Sequence, residues 1–157
     1  MEKRFSSWFL FIVVFISTLL FDGITKYFIR SNALALALEP ISLIDDWLYI
    51  TYAKNTGAAW SLFRGHNLEL AILGIIATAI LFWNYSKTLK IHPICYSLLI
   101  GGILGNVIDR IQYGYVTDFI DIHLPFYRWP SFNIADSAIC ISACLLIASQ
   151  SSQSQTT

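Results

Sequence analysis

GGILGNVIDRIQYGYVTDFIDIHLPFYRWPSFNIADS, residues 101–137, is a polar stretch set between two apolar helix candidates. It carries Asp109, Asp118, Asp121 and Asp136, with Arg110, Arg128, Asn106 and Asn133 among them. Ionisable groups at or within a membrane are costly and by default mark function. At its start, Gly101, Gly102 and Gly105 form a small-residue helix face that permits close packing. Gly102, Asn106, Asp109 and Arg110 follow one helical stripe, so the packing face turns polar toward the helix end. Tyr115 to Ile122 alternates as a strand, which turns Asp118 and Asp121 to opposite faces and argues against their pairing.

Asp118 therefore needs a partner from elsewhere, and Asp136 is the natural candidate. Pro130 precedes the last helix, Asn133 can cap it, and Asp136 falls in its first turn. An acid there also stabilises the helix start by up to about 1 kcal/mol. That capping role leaves the other polar residues unexplained. Two carboxyls brought close cannot both ionise readily, so they share a proton. One can then act as base toward a water, and the other as acid toward a carbonyl and its leaving amine.

The rest of the chain is apolar. Of its 157 residues 56% are hydrophobic and 13% charged, with mean hydropathy +0.61. A soluble domain carries about 25% charge, so a membrane protein is indicated. The net charge of zero shows no footprint for nucleic acid. The expected architecture is membrane α-helical: four transmembrane helices and a small extracytoplasmic β-cradle, in one domain over 1–148. The spans are expected at about 6–29, 68–85, 91–108 and 132–148, with 31–67 and 109–131 outside and a disordered cytoplasmic tail at 149–157. The first apolar run is longer than the core of a signal peptide and reads as a retained span. Ile41–Ile44 and Leu48–Ala53, with Asp45-Asp46 between, read as a β-hairpin. Trp47, Tyr49, Tyr52 and Trp60 suit a membrane interface. Asn84 to Lys90 reads as a tight connection. Lys3, Arg4, Lys87 and Lys90, in short segments, assign both termini to the cytoplasmic side, although the raw cation count leans the other way.

Other chemistry is less convincing. His66, His92 and His123 are scattered, and no metal spacing is present, so neither a metal nor a cofactor is expected. Cys95, Cys140 and Cys144 read as small buried apolar residues. Asp22 and Lys26, four apart, read either as a helix-end ion pair at the interface or as a brace for an active site or the fold beneath it. A small transporter would want an acid near the bilayer midplane, and no run carries one at its centre. A purely structural membrane subunit leaves the paired acids without a role.

These stretches, in order, resemble the lipoprotein signal peptidases (signal peptidase II): Asp22…Lys26, Asn55-Thr56-Gly57-Ala58-Ala59-Trp60-Ser61, Gly101-Gly102-Ile103-Leu104-Gly105-Asn106-Val107-Ile108-Asp109-Arg110, Val116-Thr117-Asp118-Phe119 and Phe132-Asn133-Ile134-Ala135-Asp136-Ser137. The resemblance covers nearly the whole chain. It departs at Trp60, where Phe is commoner, and at Thr117, where an aliphatic residue is frequent. It implies an aspartyl endopeptidase of the bacterial cytoplasmic (inner) membrane with its active site at the outer face. Asp118 and Asp136 would be the catalytic pair. Asn55, Gly57, Asn106, Arg110, Asn133 and Ala135 would shape the site or bind substrate, supported by Asp22, Lys26 and Asp109. The substrates would be lipid-modified prolipoproteins, cut before the diacylglyceryl-cysteine. The enzyme would be a monomer in contact with membrane lipid and open to inhibition by the cyclic peptide globomycin.

Overall fold

The computed structural model describes residues 2–57, 63–88 and 92–154. The elements are α1 (Glu2–Ser31), α2 (Ala33–Leu38), β1 (Ile41–Ile44), β2 (Leu48–Asn55), α3 (Asn67–Thr88), α4 (Pro93–Tyr113), β3 (Val116–Leu124), β4 (Tyr127–Arg128) and α5 (Ile134–Ser154). Three helical stretches, Ser6–Ser31, Asn67–Tyr85 and Pro93–Tyr113, are long and apolar enough to cross a membrane. The apolar part of α5, Ile134–Ser149, is shorter. At 1.5 Å per residue it covers about 24 Å, against about 30 Å of hydrocarbon. Its first turn is taken up by Asp136, so apolar length is lost at that end.

Helix α4 is central. Half of its apolar window is buried, against 17% for α1 and 11% for α3. It packs against α1, α3 and α5, and its glycines decide how closely. A Cβ on Gly102 would lie 2.5 Å from the Ala135 carbonyl oxygen on α5. One on Gly105 would lie 2.6 Å from Asp22 Oδ2 on α1 and 3.3 Å from the Ala135 Cβ. The small-residue face therefore serves two helices at once. Away from it, Phe11, Tyr85 and Ile100 form an apolar cluster, with the Tyr85 hydroxyl donating to the Ser7 carbonyl.

The strands form one antiparallel sheet in the order β1-β2-β3-β4. The hairpin expected from Ile41 to Ala53 is present, and its turn is held by Ser42 Oγ donating to Asp45 Oδ1 at 2.6 Å. Asp46 occupies the left-handed region at φ 60°, which Asp tolerates in turns. β2 pairs with β3, opposing Ala53 to Asp118 and Tyr49 to Asp121. This pairing joins the two expected outer segments into a single platform. A second apolar cluster, Ile29, Leu36 and Phe119, seats the platform on the end of α1.

Several expected boundaries shift. The third span was expected to end at 108, but α4 continues to Tyr113. Gly114, at φ 72°, ends it by donating its N–H to the Arg110 carbonyl. Asp109 and Arg110 are thus helical residues rather than the start of an outer segment. Helix α3 runs through Thr88, which shortens the expected 84–90 connection; residues 89–91 lie outside those described. Helix α5 continues to Ser154, so the stretch 149–154 is helical rather than a disordered tail, and 155–157 lie outside the described residues. The Ala-Leu repeat forms α2, which the sequence did not suggest. Trp60 lies outside the described residues. Only Cys95 is buried; Cys140 and Cys144 lie on the outward surface of α5, because that helix packs through its Ala135–Ala138 side.

Candidate active site

The start of α5 is closed by a reciprocal cap. The Asp136 N–H donates to Asn133 Oδ1 at 2.9 Å, and the Asn133 N–H donates to Asp136 Oδ2 at 3.3 Å. This is a capping box with Asn and Asp in its two places. The cap leaves the Asn133 amide nitrogen available, and it donates to Asp118 Oδ1 at 2.7 Å and to Asn106 Oδ1 at 3.2 Å. Asn106 Nδ2 donates in turn to Asp136 Oδ1 at 2.8 Å. Asn133 and Asn106 are both buried. The two carboxyls thus share a pair of amides whose orientation each fixes for the other.

Asp118 lies on the inner face of β3. Its Oδ2 accepts from Asn55 Nδ2 at 3.0 Å, while Asn55 Oδ1 accepts the Gly57 N–H at 3.0 Å. The Gly57 carbonyl accepts from Arg110 Nη2 at 2.9 Å, so Gly57 links β2 to α4. Arg110 Nε is buried with no partner among the described residues. Burial and the neighbouring Asp136 charge push the Asp118 carboxyl up from an ordinary 3.8 to about 7, against the amide hydrogen bonds that act to lower it. At neutral pH Asp118 is therefore about half protonated.

Both carboxyls line a cavity of about 1070 Å³ between the sheet and helices α4 and α5. Asn55, Arg110 and Lys54 give it polar walls. Ile139 and Cys140 carry it down the surface of α5, and Trp47 and Trp129 flank it on the sheet side. Such a cavity can hold an extended peptide with an apolar appendage. Among the described residues, no three His, Cys, Asp or Glu side chains group as a metal site requires.

Behind the carboxyls is a buried ionic network. Lys26 Nζ is 2.8 Å from Asp22 Oδ2 and donates to Asn106 Oδ1 at 3.0 Å. Asp22 Oδ1 accepts the Ala135 N–H at 2.9 Å. Asp22 and Lys26 are each 1% exposed, so the pair is not at an interface but is the buried brace that was the other reading. The packing of α4 and α5 over this turn of α1 takes it out of water. Ala135, fully buried under Gly102 and Gly105, has room for a methyl group only.

Asp121 is not part of the site. It opposes Tyr49 on the other face of the sheet and binds Arg128 and His123. Burial acts to raise its carboxyl, but the Arg128 and His123 hydrogen bonds outweigh this and hold it below the ordinary range. Arg30 was missed. It donates to Asp109 Oδ1 at 2.9 Å and to Thr117 Oγ1 at 3.0 Å. The signal was the four-residue spacing of Asp22, Lys26 and Arg30, which puts three charges on one stripe.

Comparison with known proteins gives consistent matches. The family described as Signal peptidase (SPase) II matches residues 14–151. The lipoprotein signal peptidase of Polynucleobacter necessarius subsp. necessarius is 39% identical over 143 residues, covering 87% of this chain and 86% of its own. That of Thermodesulfovibrio yellowstonii is 41% identical over 131 residues, covering 82% and 86%. A solved bacterial membrane enzyme superposes with a TM-score of 0.83 at 32% identity, covering 94% of this chain and 90% of its own.

Proposed function

Because the chain belongs to the signal peptidase II family, and is a multi-pass membrane protease that removes signal peptides from lipoprotein precursors, we propose that Asp118 and Asp136 perform the hydrolysis. The observation that carries this reading is the pair of amides, Asn106 and Asn133, joining the two carboxyls inside one large cavity. Asp136 accepts hydrogen bonds from Asn106 Nδ2 and the Asn133 N–H at the start of α5, which hold it at the cavity as the base of the pair. It takes a proton from the attacking water. Asp118, raised to about 7, keeps its proton, polarises the scissile carbonyl and later protonates the leaving amine. Arg110 holds the Gly57 carbonyl at the edge of the cavity, and the reaction uses no metal or cofactor.

The bond cut is the one before a diacylglyceryl-modified cysteine. The acyl chains follow the Ile139–Cys140 surface of α5 toward the bilayer, while the peptide lies across the sheet side. The protein is a monomer of one domain, 1–148, with α5 as a fourth span. It lies in the cytoplasmic membrane with both termini cytoplasmic and the cavity at the outer face. The test is incubation of purified enzyme with a lipid-modified prolipoprotein, with and without a strong chelator. Mass spectrometry is expected to find a product starting at the modified cysteine at an unchanged rate. A cut elsewhere, or loss of activity on chelation, overturns the proposal. A protease-accessible C-terminal tag on the outer face overturns the orientation.

A further inference from the structure

Asp109 serves two elements from its place on α4. Its Oδ1 accepts from Arg30 Nη1 at 2.9 Å. Its Oδ2 accepts the backbone N–H of Thr117 at 2.9 Å and lies 3.5 Å from Lys26 Nζ. Arg30 Nη1 also reaches Thr117 Oγ1 at 3.0 Å, and the guanidinium lies 4.2 Å over the Tyr113 ring. Thr117 is fully buried, and it immediately precedes Asp118. Neighbouring side chains on a strand point to opposite faces, so Thr117 turns back toward α1 while Asp118 turns into the cavity. A buried hydroxyl costs desolvation that a valine of the same shape avoids. Here the hydroxyl receives a charge-assisted hydrogen bond that valine could not accept.

We propose that Arg30 and Thr117 are positioning residues for the reaction. Together they clamp β3 from behind and hold the Asp118 carboxyl at its angle to Asp136; this rests on the reading of those two acids as the dyad. Asp109 ties the clamp to the second carboxyl. Lys26, beside it, bonds Asn106, whose amide donates to Asp136. Two cations one turn apart on α1 thus refer both carboxyls to a single carboxylate on α4. A strand freed from Arg30 can rotate about its axis, and this misaligns Asp118 without closing the cavity.

The test compares Thr117→Val, Thr117→Ser, Arg30→Met and the double variant Arg30→Met/Thr117→Val, as purified full-length enzymes on a lipid-modified prolipoprotein. In Thr117→Val and Arg30→Met, kcat per folded enzyme is expected to fall about tenfold with KM nearly unchanged, as for a misplaced reacting group. Thr117→Ser restores most of the rate, and the double variant is no slower than the worse single one. The clamp is overturned if Thr117→Val keeps the wild-type kcat, if Ser fails as badly as Val, if the two losses multiply, or if the loss lies only in the amount of folded protein. Asp118→Asn is run alongside. If it stays active, the dyad itself is wrong; if it is inactive while Thr117→Val is normal, only the clamp fails.

Discussion

Replacing Asp118 by Asn should make the enzyme inactive and shift its stability relative to the wild type upward as the pH rises. Asp118 is 2% exposed, and its carboxyl is pushed from 3.8 to about 7. A carboxyl whose folded value lies above its unfolded value favours folding while it is protonated. That contribution is complete below about 4 and is lost as the pH rises through about 7. At 1.36 kcal/mol per pH unit, the whole change is at most about 4 kcal/mol. Asn carries no such charge, so the variant escapes it. The variant also carries a fixed cost. Asn55 and Asn133 both donate to Asp118, and the new amide nitrogen opposes one of these donors at a cost of about 1–3 kcal/mol. That clash does not titrate. The assay is thermal unfolding of both proteins in one detergent from about pH 4 to about pH 8, read as the difference in Tm. The difference should move in favour of Asp118→Asn with rising pH by an amount on the order of 10 °C. A difference that stays flat across the range refutes the raised carboxyl, and with it the assignment of Asp118 as the acid.

Gly102→Ala should lower stability by about 1–3 kcal/mol and reduce activity, because its methyl meets the backbone of α5 beside Asp136; Gly23→Ala, with nothing within 4 Å of its Cβ, should be neutral in both thermal unfolding and turnover. Lys26→Met leaves Asp22 buried without its cation and should cost about 3–5 kcal/mol in denaturation, with precursor processing falling in parallel. The pH–rate profile should fall as pH rises above about 7, where Asp118 loses its proton; a rate that is constant from there into the alkaline range contradicts its role as acid.

The apolar runs and the convergence of Asp118 and Asp136 on one cavity were legible in the sequence because they depend on local signals: long unbroken hydrophobic segments, strand alternation that separates Asp118 from Asp121, and an Asn–Asp cap at the start of α5. The glycine face was legible as a packing surface, though not which helices it met. The depth of Asp22 and Lys26 was not legible. They fall near the far end of the first expected span, 6–29, and only the packing of α4 and α5 buries them. The role of Arg30 was hidden for the same reason, since its partners Asp109 and Thr117 lie 79 and 87 residues away. Cys140 and Cys144 were misread because an apolar helix in a membrane shows its hydrophobic side to lipid as readily as to protein. The extension of α4 to Tyr113 shows that a helix can outlast its apolar run where its polar side chains find partners, as Asp109 does in Arg30 and Arg110 in the Gly57 carbonyl.

The most direct test of the central claim is cleavage of a lipid-modified prolipoprotein by Asp118→Asn, Asp136→Asn and Asp121→Asn, each purified and shown to be folded. Loss of cleavage in the first two and substantial activity in the third is the predicted result. Near-normal cleavage by either Asp118→Asn or Asp136→Asn would contradict the dyad.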